Sequence, residues 1–217
     1  MSLKYSIHFQ PNESSKPYPA PMPKESAQLW QSPFDQNGMV TAVKVFISQP
    51  AYARVCVHAA SDMEQETGGV LVGQRYSDID TQEEFIVIEN TLPARFTRQG
   101  SVYLTFTQDT IVDFHNEIET RFPGKQIVGW YHTHPKMGIF LSHYDTWLHS
   151  HFFPEPWQVA LVIEPHKKLG GLFIRQVDGE LDPGRYFGFY ELEDNPNWSI
   201  VHWTNLTRIF DNANEGG

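Results

Sequence analysis

Two histidines close the run Gly129-Trp130-Tyr131-His132-Thr133-His134-Pro135. In an extended strand, side chains at i and i+2 share a face, so the imidazoles of His132 and His134 can reach one ion. Asp145 follows in Ser142-His143-Tyr144-Asp145 and would add a third, oxygen ligand. Two imidazole nitrogens and one carboxylate oxygen suit Zn²⁺ at roughly 2.0–2.2 Å. Three protein ligands leave the fourth tetrahedral position open for water, as in catalytic zinc sites. Ser142-x-x-Asp145 also has the form of a capping box, with serine at the N-cap and an acid at N3, so a helix start would hold Asp145 in place.

Hydrolysis at such a centre needs a group that takes a proton from the attacking water and hands it to the leaving amine. The stretch Glu66-Thr67-Gly68-Gly69-Val70-Leu71-Val72-Gly73 offers a carboxylate, Glu66, followed by glycines that would let backbone approach the site closely. Asp62 and Glu64 compete with it in the same stretch. His149, four residues after Asp145, would share its helical face and is an alternative ligand or neighbour of the ligands. His8, His58, His115, His143, His151, His166 and His202 read as structural or surface residues. Other chemistries lack their parts. No Gly-x-Ser-x-Gly elbow is present, the glycines near Val70 lack a Gly-Lys-Ser/Thr ending, and a single cysteine, Cys56, excludes the Pro-Cys-x-x-Cys pair of a zinc deaminase.

Glu66 with glycines at +3 and +7, then Gly-Trp-Tyr-His-Thr-His-Pro, then Ser142-x-x-Asp145, resembles the JAMM/MPN+ metalloprotease family, which includes deubiquitinases of the proteasome lid and the signalosome. The resemblance spans roughly residues 43–193 and extends to Pro135, Gly138, Leu141 and Val159-Ala160-Leu161-Val162-Ile163-Glu164-Pro165. It implies that His132, His134 and Asp145 bind zinc, that Glu66 is the general acid/base, and that Ser142 hydrogen-bonds the tetrahedral intermediate. The activity so implied is removal of ubiquitin or a ubiquitin-like protein by hydrolysis after Gly-Gly. Two alternatives remain open: a family peptidase that processes a sulfur-carrier protein, and a non-catalytic scaffold of the same fold. An extended tail would add as a strand to a sheet edge, expected near residues 92–106, beside the metal strand.

The elements that must position these residues can be read from periodicity. A strand is expected at 43–47, then a helix opened by Ser48-Gln49-Pro50 with Tyr52, Cys56, Ala59, Ala60 and Met63 on its apolar face. Cys56 lies on that stripe and reads as a buried structural cysteine. Further strands are expected at 69–73, 85–89, 102–106, 126–131, 158–164, 172–177 and 186–192. A second helix should start at Thr107, carry Ile111, Phe114, Ile118 and Phe122, and stop at Pro123-Gly124. This mixture implies an α/β fold, a mixed, curved β-sheet flanked by helices; the family resemblance implies a three-layer, cytidine-deaminase-like arrangement. Prolines at 17, 19, 21 and 23 mark residues 1–38 as an extended N-terminal arm tacked down by Trp30 and Phe34. The catalytic domain is expected over 39–193 and a C-terminal extension over 194–217, with Trp198 and Trp203 in a last strand or flap.

With 217 residues, 40% of them hydrophobic, the chain is long enough to bury a core without disulfides. Sixteen Lys and Arg against twenty-six Asp and Glu give a net charge of −10, which repels phosphate backbones and anionic lipid, so neither nucleic acid nor membrane is expected as a partner. The first twenty residues contain no apolar leader core and no run of about 18 apolar residues occurs, so the expectation is an unanchored, cytoplasmic protein. The expected partner is a ubiquitin or ubiquitin-like substrate. A homo-oligomer or an activating partner is compatible with the sequence.

Overall fold

The computed structural model describes residues 16–35, 40–94, 106, 108–192 and 198–210. Ten strands are found among them: β1 Tyr18–Ala20, β2 Ala27–Gln31, β3 Lys44–Ser48, β4 Gly68–Asp78, β5 Glu84–Pro93, β6 Gln126–Thr133, β7 Val159–Glu164, β8 Leu169–Phe173, β9 Phe189–Leu192 and β10 Thr207–Arg208. Three α-helices accompany them: α1 Gln49–Ala59, α2 Gln108–Arg121 and α3 His143–Phe152. The strands form one sheet in the order β10-β2-β9-β3-β5-β4-β6-β7-β8, with β1 pairing β4 off that path. Parallel pairs (β3 with β5 and β9, β6 with β7, β1 with β4) mix with antiparallel ones, and β4 bends at irregularities around Val72 and Gly73.

Period-two alternation along the central strands sorts their side chains onto two faces. Leu71, Val128, Tyr131, Val159, Leu161 and Ile163 point to the core that α1 covers with Ala51, Tyr52, Val55 and Ala59. Val70, Val72, Trp130, Ala160 and Val162 point to the other core, closed by Phe114 and Ile118 of α2 and Leu148 of α3. The three layers are therefore α1, the sheet, and α2 with α3. His132 follows Trp130 by two residues, so the same alternation turns it toward the α3 side. None of the helices in the described residues is long and apolar enough to cross a membrane.

Several boundaries differ from the sequence reading. Helix α1 starts as expected, with Ser48 Oγ accepting the Ala51 N–H, but it ends at Ala59, so Ala60 is exposed and Met63 lies beyond the helix. The buried stripe is Ala51, Tyr52, Val55 and Ala59, with Cys56 half-buried at its margin and its thiol pushed up to about 11 by burial. The strand expected at 172–177 begins earlier, at Leu169. Its glycines are needed for packing: a Cβ at Gly170 would lie 2.2 Å from the Trp203 ring, and one at Gly171 would lie 2.6 Å from Tyr186.

The proline-rich arm contributes strands β1 and β2, and the C-terminal segment contributes β10, which pairs with β2. Described residues on both sides of the expected 38/39 and 193/194 boundaries thus contribute strands to one sheet. Trp203 is buried in the α1-side core, whereas Trp198 is exposed. The strand expected at 102–106 and the cap at Thr107 lie outside the described residues, except Phe106, which is buried but not in a strand.

Candidate metal centre

Strand β6 runs between β4 and β7, and its C-terminal end presents His132 and then His134. Helix α3 begins beside that end. Ser142 is its N-cap, and Asp145 at N3 completes a capping box in which each residue binds the other's backbone. The predicted ligands come together: His132, His134 and Asp145 are all buried, and their ligand atoms lie within 4.8 Å of one another.

His132 Nε2 is 3.4 Å from Asp145 Oδ1, and His134 Nε2 is 3.5 Å from Asp145 Oδ2. The two contacts use different oxygens of one carboxylate, and each is near the ~3.4 Å spacing between neighbouring donors around an ion held by bonds of roughly 2.1 Å. His132 Nε2 and His134 Nε2 are 2.8 Å apart, a hydrogen-bond distance at which one of them carries a proton. Were both Nε2 atoms to hold an ion, each neutral imidazole would carry its proton on Nδ1 instead. Burial lowers the His132 pKa, so its imidazole is neutral, as a ligand must be, and its contact with Asp145 is not an ion pair at neutral pH. Burial alone would raise the Asp145 carboxyl, but the His132 and His134 imidazoles beside it and its bond to Ser142 hold it well below the usual carboxylate range. The donor set, its burial and its spacing fit zinc.

Glu66 lies just before β4. Gly68 pairs with His132, and Thr67 and Thr133 exchange two hydrogen bonds, Thr133 N–H to Thr67 O and Thr67 N–H to Thr133 Oγ1, each 2.8 Å. These bonds hold Thr67, the residue after Glu66, alongside Thr133, the residue between the two histidines. Its two competitors are engaged elsewhere. Asp62 accepts the backbone N–H groups of Glu64 and Gln65, and Glu64 is exposed and paired with Lys136 Nζ at 2.7 Å. The glycines after Glu66 serve the sheet rather than the site. A Cβ at Gly69 would lie 2.1 Å from Leu92 O and one at Gly73 would lie 1.8 Å from Val87 O, both on β5. Residues 92 and 93 pair with β4, which separates them from β6, so they are not an edge beside the metal strand; residues 95–105 lie outside the described part.

His149 does not join the ligands. Its Nδ1 accepts a hydrogen bond from Trp130 Nε1 at 3.0 Å. Trp130 itself, which the sequence reading gave no role, stacks on His132 with ring centroids 4.6 Å apart and planes 8° apart. Its position two residues before His132 was the available signal, because i and i+2 share a face. The loop after His134 is held by the buried Glu164 carboxylate, which accepts the N–H groups of Lys136, His166 and Lys167.

A family model described as JAB1/Mov34/MPN/PAD-1 ubiquitin protease matches residues 40–154, more than half of the chain and the whole of the centre just described. The chain belongs to this family. Among relatives, the JAB1/Mov34/MPN/PAD-1 chain is 31% identical over 127 residues to a NAD(+) hydrolase TcpA from a Theionarchaea archaeon, covering 58% of this chain and 35% of that protein. It is 30% identical over 132 residues to COP9 signalosome complex subunit 5 of Kluyveromyces lactis, covering 59% and 33%, and 33% identical over 133 residues to the same subunit of Candida albicans, covering 58% and 21%. The chain spans about a third or less of the length of these relatives.

Proposed function

We propose that this chain is a zinc-dependent isopeptidase or peptidase of the cytoplasm that removes ubiquitin or a ubiquitin-like protein by hydrolysis after Gly-Gly. The observation that carries the reading is the buried triangle of His132, His134 and Asp145, locked by the Ser142 cap, within a family whose model is described as a ubiquitin protease. Zinc held by these three residues would polarise the scissile carbonyl and lower the pKa of a water toward about 7.

The chain's own residues supply the rest. Glu66, whose neighbour Thr67 is bonded to Thr133 between the two histidines, takes a proton from the attacking water and delivers it to the leaving lysine or α-amine. Ser142 Oγ accepts the Asp145 N–H with a lone pair, and its hydroxyl proton can turn to the oxyanion that develops on the scissile carbonyl. The two imidazoles and Asp145 sit on the rigid end of β6 and the first turn of α3, which fixes their mutual geometry. Gly-Gly before the scissile bond would let a substrate backbone pass where side chains are excluded. The −10 charge favours a neutral or basic modifier surface. The relatives described as subunits of a complex support a partner protein in the active assembly.

The test is a cleavage assay on ubiquitin chains and ubiquitin-like fusions, with and without chelator, paired with fusions in which Gly-Gly is replaced by Ala-Ala. Chelator-sensitive cleavage lost on that replacement is expected. Efficient digestion of unfolded casein, with indifference to the replacement, would show a general protease instead.

A further inference from the structure

We propose that His149 is a positioning residue for the metal centre: by accepting the Trp130 indole N–H, it holds that indole as the wall against which the His132 ring is set. This rests on the zinc reading above. Trp130, His132 and His149 are each fully buried. The indole lies parallel to the His132 ring at 8° on one side of the contact and is stacked at 12° with Phe153, with Phe106 edge-on to it at 88°. Those contacts set the indole's plane. Its one polar group, Nε1–H, is anchored by His149 Nδ1, its one partner among the described residues.

The anchor joins the two elements that carry the ligands. Trp130 and His132 belong to β6, while His149 lies one helical turn beyond Asp145 on α3. A rotation of the His132 ring about its Cβ–Cγ bond would swing Nε2 away from the 3.4 Å approach to Asp145. The stacked indole opposes that rotation, and His149 keeps the indole in register with the helix that supplies Asp145.

The chemistry of His149 points the same way. Indole nitrogen can only donate, so Nδ1 must be the acceptor and the His149 proton resides on Nε2. That Nε2 is buried and has no partner among the described residues. Leucine or phenylalanine would remove that orphaned donor but strand the indole N–H, so what the imidazole contributes beyond packing is the acceptor at Nδ1. Burial, aided by Arg175, lowers the His149 pKa to about 3, which keeps the Nδ1 lone pair available at any working pH.

The test measures Zn²⁺ affinity of the full chain by competition with a chromophoric chelator, together with thermal unfolding of the zinc-free protein. His149→Leu is expected to weaken Zn²⁺ binding about 10–100-fold, the usual cost of a change one layer beyond the ligands. His149→Gln, whose amide oxygen can accept the indole proton, should stay within about threefold of the original on the same scale. Trp130→Phe keeps a stacking ring but loses the donor, so it should weaken binding as His149→Leu does, and the double variant no further. Unchanged Zn²⁺ affinity in His149→Leu, no rescue by glutamine, or additive losses in the double variant would overturn the proposal and leave His149 a packing residue whose loss moves only the unfolding temperature. Should His149→Leu not fold, the glutamine and Trp130→Phe variants decide: Trp130→Phe with undiminished affinity overturns the proposal. An original chain that binds no Zn²⁺ overturns the metal centre and this inference with it.

Discussion

Ser142 and Asp145 cap each other: the Ser142 N–H donates to Asp145 Oδ2 at 2.7 Å, and the Asp145 N–H donates to Ser142 Oγ at 3.2 Å. The same Oδ2 faces His134 Nε2, so one carboxylate both starts α3 and completes the ligand set. Asp145→Asn keeps an oxygen for the Ser142 N–H but removes the charge. It should cost the zinc-free protein less than the ~1 kcal/mol typical of a lost cap, yet weaken zinc by more than the roughly 10–100-fold of changes beyond the ligands. Ser142→Ala should show the reverse balance, losing about 1 kcal/mol in urea unfolding while still binding zinc. Equal effects of the two changes on metal affinity would contradict this division of labour.

Glu66→Gln keeps size and hydrogen bonding but cannot accept a proton. It is expected to retain zinc and substrate binding while turnover falls about 10²–10⁴-fold, the usual worth of positioned proton transfer. Asp62→Asn and Glu64→Gln should be nearly silent, because Asp62 is committed to a turn and Glu64 to Lys136. If either of those were the crippling change, the assignment of the base to Glu66 would be wrong.

The grouping of His132, His134 and Asp145 is legible in the sequence because strand periodicity and a capping box are local rules: His132 and His134 share a face whatever the rest of the fold does, and Ser142-x-x-Asp145 marks its own helix start. Pairing across the sheet is not local. The glycines at 69 and 73 look from the sequence like room for backbone at a site, and only the β4–β5 register shows that they make room for Leu92 O and Val87 O. The prolines mark the arm as extended, and that much is local; that it supplies two strands depends on partners far away, Tyr76–Asp78 for β1 and β9 and β10 for β2. Trp130 carried a local signal too, but its role needs His149 from another element.

Acid should destabilise the zinc-free protein. His149 has a folded pKa of about 3 against an unfolded value near 6.5. Between these values the unfolded chain binds the extra proton, so stability is full above about pH 6.5 and is lost as pH falls toward 3, at up to ~1.4 kcal/mol per pH unit. Burial lowers His58, His115 and His132 as well, so they add to the same limb. Urea unfolding at a series of pH values should give a shallower acid slope for His149→Gln by about one proton's worth. Parallel slopes in the two proteins would mean that His149 takes up its proton without unfolding.

The last prediction separates the fold from the centre. Glu191 on β9 is completely buried, and its carboxylate collects four donors: Gln49 Nε2 and the Ile200 N–H on Oε1, and Trp30 Nε1 and Ser199 Oγ on Oε2. The carboxylate thereby ties β2, the first turn of α1 and the segment leading to Trp203 to one point of the sheet. Glutamine at 191 must set its NH₂ against one of these donor pairs. Opposite Oε2 the serine hydroxyl can reverse and accept, but the indole N–H cannot, so Glu191→Gln should cost about 1–3 kcal/mol, the price of one buried donor left unmet. Leucine leaves all four donors stranded and should cost more than the roughly 1–3 kcal/mol of one buried donor left unmet. Neither change touches β6 or α3, so once folded the glutamine variant should bind zinc with unchanged affinity. Urea unfolding and chelator competition on the same preparations check both halves. A Glu191→Leu chain as stable as the original would show that the four donors find other acceptors, and a loss of zinc affinity in Glu191→Gln would show that the far edge of the sheet helps to set the metal strand.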